Sequence, residues 1–164
     1  MISNLIRLCA FGLLVSAIPA QARDSLGIFE EWGAFRDPQT PRCYAVAKPS
    51  PSSRSRDYAP FAAIGTWPQR NVRGQVHFRL SREIANDRTI RLVIGDRVFE
   101  LTGGGGDAWA RDRAMDAAIV AAMRSGTRMV ISASDKRGRR FSDRYNLSGA
   151  ATAMDAATIG CARR

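Results

Sequence analysis

The sequence predicts a mainly β chain with two short helices, an antiparallel β-sandwich or strongly curved sheet of about eight strands in a single domain. Three observations lead there. Short runs of alternating apolar and polar residues recur between turn signals along most of the chain. Consecutive runs are joined by short turns, which suit antiparallel neighbours and are too short for parallel crossovers. Helical periodicity appears twice, over 112–124 and after Ser148.

The first 22 residues read as an export signal. Arg7 supplies the positive end, Leu8 to Ile18 the apolar stretch, and Ala20-Gln21-Ala22 the small-residue cleavage pattern after Pro19. An apolar run of that length falls short of the roughly 20 residues a membrane helix needs. No Leu-x-x-Cys pattern marks a lipid attachment site, and no transmembrane segment is expected after signal removal. The 142 residues from Arg23 to Arg164 suit one core.

Leu26 to Phe35 alternates around Ile28, Trp32 and Phe35 and is expected as one strand. Asp37-Pro38 to Pro41 is a turn, and Cys43 to Ala47 a second short strand. Residues 48–60 are rich in Ser, Pro and Arg, lack apolar periodicity and are expected to form a mobile loop within the domain. Phe61 to Trp67 resumes strand character up to Pro68. In Gln75 to Leu80, Val76, Phe78 and Leu80 point one way while His77 and Arg79 point the other. Arg82 to Asp87 reads as a polar connection. Thr89 to Ile94 and Arg97 to Leu101 flank the hairpin dipeptide Gly95-Asp96.

Gly103 to Gly106 is expected as a flexible connection into the first helix. Met115, Ala118, Ile119, Ala122 and Met123 make one apolar stripe there, with Asp112 as N-cap and Gly126 as stop. Thr127 to Ser134 and Arg140 to Leu147 form a hairpin through Asp135 to Gly138. A final helix places Ala150, Ala153, Met154, Ala157 and Cys161 on one face.

Charge and cysteine content narrow the function. The chain carries 25 basic and 15 acidic residues, a net charge of +10. Removal of the signal takes away Arg7 and leaves +9. All the basic residues except Lys48 and Lys136 are arginine, spread through nearly every segment. That field attracts anionic surfaces, with no specific nucleic-acid motif. Cys43 and Cys161 are the two cysteines left after cleavage, and in an oxidising compartment they are expected to pair.

No catalytic set is apparent. His77 is the single histidine and falls on the outward side of its strand, so neither a metal site with two histidine ligands nor a histidine acid–base pair can form. There is no Gly-x-Ser-x-Gly elbow. Asp107, Asp112 and Asp116 are the carboxylates a hydrolase would draw on, and helix capping explains them equally well. The glycine run does not continue into Gly-Lys-Ser/Thr, and Asp107 would repel phosphate, so no phosphate loop and no cofactor is expected. Trp32, Trp67 and Trp109 with Tyr44 and Tyr58 offer aromatic surface for bases or sugars, although Trp32 and Trp67 sit in strand patterns that suit core packing. The candidate binding surface is Trp109 with Arg111, Arg137, Arg139 and Arg140.

Tyr145-Asn-Leu-Ser-Gly149, the helix opening Ala150-Ala-Thr-Ala-Met154 and the closing Cys161 resemble the carboxyl end of the invasion-associated locus B proteins of α-proteobacteria. The signal peptide, Trp32-Gly-Ala-Phe35, Pro41-Arg-Cys-Tyr44 and the helix end Ala122-Met123-Arg-Ser-Gly126 fit the same pattern. Ala150 stands where the family usually has an aromatic, and there is one cysteine pair where relatives often carry more. The resemblance implies an exported, envelope-associated, non-enzymatic protein, periplasmic or secreted, whose partner is an envelope protein or anionic surface component. The alternatives are an envelope glycan hydrolase using carboxylates and a basic polyanion-binding module.

Overall fold

The computed structural model describes residues 23–85 and 88–162; the signal sequence read over 1–22 lies outside them. Nine strands and two helices follow in chain order: β1 (Asp24–Phe29), β2 (Trp32–Asp37), β3 (Arg42–Ala47), β4 (Phe61–Trp67), β5 (Val72–Ile84), β6 (Ile90–Ile94), β7 (Arg97–Trp109), α1 (Arg113–Ser125), β8 (Arg128–Ser134), β9 (Arg140–Asn146) and α2 (Ala150–Ala162). All strands pair antiparallel in one open sheet ordered β1-β2-β3-β4-β5-β7-β6-β8-β9.

The expected count of eight becomes nine because Leu26 to Phe35 is two strands. Glu30 takes a left-handed φ of 51° and turns the chain back at Glu31, pairing Phe29 with Trp32. The polar stretch after Leu80 also extends β5 to Ile84. The glycine run is strand, not a loose connection. Residues 97–101 of β7 pair with β6, while Gly105 and Asp107 to Trp109 pair with β5. The glycines therefore form the corner at which one strand serves both halves of the sheet. A side chain on Gly103 would overlap the Asp107 carbonyl, so the corner admits no larger residue.

Sheet register sorts the residues onto two faces. On the inner face, Ala34, Ala45, Ile64 and Val76 form one cross-strand row, and Trp32, Ala47, Ala62, Phe78 and Ala108 another; all are buried. The small alanines let α2 lie close against β1–β4 with Ala150, Ala153, Met154 and Ala157 buried. Cys161, on that same helix face, is disulfide-bonded to Cys43 of β3. Asp112 caps α1 by accepting from the Met115 N–H at 2.8 Å, and α1 packs on β5.

Curvature brings the last strand back over the middle of the sheet. Phe78 of β5 and Tyr145 of β9 pack with ring centroids 6.5 Å apart. Buried Asp143 of β9 accepts the Ser81 N–H of β5 at 2.8 Å. Buried Trp32 of β2 donates its indole N–H to the Asn146 carbonyl. The segment 48–60 contains no helix or strand. It runs along β9, with Ser50 N–H on the Arg144 carbonyl at 2.7 Å and Arg54 on the Arg140 carbonyl at 3.2 Å. Those bonds occupy groups on the edge strand that would otherwise invite another chain.

Candidate functional site

The other phase of β1–β5 and β7 faces away from α2 and carries an aromatic groove. Ile28, Gly33, Val46, Ala63, His77 and Trp109 form one outward row. Phe35, Tyr44, Gly65 and Gln75 form the next. The small residues are the floor and the aromatics the walls, enclosing a cavity of about 520 Å³. Two glycines are required there. A Cβ on Gly33 would stand 2.7 Å from the Phe35 ring, and one on Gly65 would stand 2.5 Å from the Trp67 indole, so each ring lies down across the backbone of a neighbouring strand position.

Each end of the groove pairs aromatic with polar groups. At one end Phe35 and Tyr44 lie 5.8 Å apart, and the Arg42 guanidinium sits 5.0 Å from the Tyr44 ring centroid. Arg42 reaches Asp37 at 3.5 Å, while its Nε has no hydrogen-bond partner among the described residues. At the other end the Trp109 indole stacks on the His77 imidazole, centroids 5.1 Å apart and planes within 8°, and Phe61 meets His77 edge-on. His77 Nε2 lies 2.9 Å from the Asp107 carboxylate, which also accepts from Arg79. Arg79 in turn covers the Tyr58 ring at 3.9 Å, linking the groove end to the 48–60 segment.

Of the expected surface residues, only Trp109 lies in this groove. Arg111 lines a separate hollow with Thr102 and Glu100. Arg137 and Arg139 border another beside Arg82, where Arg82 and Arg139 both pair with Asp135. Arg140 lines a fourth with Phe141. Trp32 is core, as expected, but Trp67 is not: it belongs to the outward wall. The three carboxylates hold separate posts. Asp107 belongs to the outward face, Asp112 caps α1, and Asp116 accepts the Val76 N–H at 2.8 Å. Burial raises the Asp116 carboxyl above its ordinary range against the lowering effect of that bond.

Sequence reasoning named Tyr44 among the aromatics available for binding, placed Trp67 in the core and missed Phe35 and Phe61. A signal was present: β3 and β4 are largely apolar in both phases, and a helix such as α2 can cover one of them. The second phase has to meet solvent or something else.

The chain is thus a disulfide-stapled curved antiparallel sheet with helices on one face and an aromatic groove on the other. The chain belongs to the family described as "Invasion associated locus B (IalB) protein", whose family model matches residues 35–158. Among solved structures it is similar to invasion associated protein b from Bartonella henselae, with 15% identity and a TM-score of 0.57, over 85% of this chain and 97% of that one. At that identity the likeness concerns the fold. No curated protein matches the chain.

Proposed function

We propose that this chain is an exported envelope protein, periplasmic or secreted, that works by binding an envelope component in the aromatic groove. One observation carries the reading: a cavity of about 520 Å³ walled by half-buried rings and the exposed Trp109, on the sheet face that no helix covers among the described residues. Aromatic side chains normally bury their area in the core, and a concave apolar site with a few convergent polar groups is the usual form of a binding site. Export is supported by the leader pattern over 1–22 and by the disulfide, which persists in oxidising compartments. Family membership supports the same compartment.

The test is retention of the oxidised 23–164 protein on washed envelope fractions. Ala63→Trp fills the groove floor and Trp109→Ala removes a wall, so both should lower retention. Val98→Ala, on the exposed β6–β7 hairpin, should not. Equal retention of all four proteins would refute the reading.

A further inference from the structure

The groove's chemistry selects among ligand classes. Its walls are planar rings, but polar groups interrupt them: His77 stacks on Trp109 at one end, Arg42 sits over Tyr44 at the other, and Gln75 and Arg23 also line the cavity. An acyl chain would gain nothing from that rim and would leave its donors unpaired, which costs free energy once they are desolvated. A sugar ring matches both features. The face of a pyranose that displays axial C–H groups is apolar and positively edged, so it stacks on the negative face of an aromatic ring, while its hydroxyls point outward to a polar rim. Trp109 supplies such a face. One side of the indole lies on His77, and the residue is still 39% exposed.

The spacing fits more than one ring. His77 on β5 and Tyr44 on β3 are two strands and two register positions apart, so the two aromatic stations stand about 12 Å from each other across the sheet. That separation suits consecutive units of a chain more than a single small ligand. Charge then selects the kind of chain. The cations at the Tyr44 end outnumber their acids: Asp37 is shared between Arg42 and the charge of Arg23, and the buried Arg42 Nε has no hydrogen-bond partner among the described residues. The protein as a whole is strongly positive.

We propose that the groove binds an acidic glycan, one sugar ring stacked on Trp109 and an anionic substituent held near Arg42 and Arg23. This inference rests on the groove being the binding surface argued above. It requires no covalent step.

The experiment titrates the oxidised 23–164 protein with hexagalacturonate, following tryptophan fluorescence and calorimetry. Cellohexaose serves as the neutral comparator, inorganic polyphosphate as a polyanion without sugar rings, and poly(dT) as a single-stranded nucleic acid. The expected result is saturable binding of hexagalacturonate, weakened about tenfold or more by Trp109→Ala and by Ala63→Trp, as loss of one stacked ring predicts. Arg42→Gln should lower affinity for hexagalacturonate and leave any weak cellohexaose binding unchanged. Unchanged melting temperatures for the variants would show that the fold survives. Hexagalacturonate binding that ignores both groove variants, or that polyphosphate matches in strength, would reduce the effect to surface charge and overturn the inference. Tighter, groove-dependent binding of poly(dT) would overturn it in favour of a nucleic-acid site. If groove variants lower envelope retention while hexagalacturonate fails to bind, the glycan assignment falls and the groove reading stands. If retention ignores the groove, the reading itself falls.

Discussion

Trp32 Nε1 donates to the backbone carbonyl of Asn146 at 2.9 Å, across 114 positions of sequence. The indole is fully buried, so this bond ties the beginning of the sheet to its last strand inside the core. Trp32→Phe keeps most of the apolar area and deletes the donor. The partly buried hydrogen bond is lost, and stability should fall by about 1 kcal/mol, read as a lower midpoint in urea unfolding.

The bond between Cys43 and Cys161 spans 118 residues. Loop-closure entropy of that size corresponds to about 5 kcal/mol. Cys43→Ala with Cys161→Ala should therefore lower the melting temperature sharply. The same shift should appear when dithiothreitol is added to the native protein and be absent when it is added to the double variant.

Acid stability should report on Asp135. Burial pushes its carboxyl up, but hydrogen bonds from the backbone and guanidinium of Arg139, from Arg82 and from the Arg137 backbone outweigh this and hold it at about 2. A folded value below the unfolded one means the contribution is complete above the unfolded range, near 4, and disappears as pH falls toward 2. Asp135→Asn should be less stable at neutral pH, and its stability should change less than that of the wild type between pH 4 and 2.

Asp143 carries the opposite sign. Burial raises its carboxyl despite hydrogen bonds from Ser81, so the ionised form penalises the folded state. Protonation on acidification relieves that penalty, and the relief is complete below the unfolded value. Asn can still accept the Ser81 N–H without a charge. Asp143→Asn should match or exceed wild-type stability at pH 7, with the difference vanishing as pH is lowered through the carboxylate range.

Gly149 opens α2 with φ of 83°, and a Cβ there would overlap the Phe29 carbonyl oxygen. Gly149→Ala meets both a left-handed backbone, costing about 1–2 kcal/mol, and a clash with main chain that cannot rotate away. Thermal unfolding should show a loss greater than the backbone term alone.

Much of this architecture was readable because its signals are local. Asp112 and Gly126 bracket α1, Gly95-Asp96 marks the β6–β7 hairpin, and the alternation of Val76, Phe78 and Leu80 gives the inner face of β5. Other features depend on what the chain meets at a distance. The turn at Glu30 has no glycine, proline or asparagine to announce it. The glycine corner looks like a loop until β7 is seen pairing with β5 on one side of it and β6 on the other. The groove was hidden because an apolar residue on a strand does not say whether a helix lies above it. Trp109 was legible as a surface aromatic, whereas Trp67 resembles a core residue in every local respect and differs only in which side α2 occupies.

The inner rows of β1–β4 are covered by α2, the last helix in the chain. During synthesis the first four strands are made long before their cover exists. The alanine-rich surface therefore stays naked while the chain is made, until α2 has been added. Any truncation near the end would not shorten the molecule but leave it uncapped, with the oxidation step waiting on a sulfur that never comes.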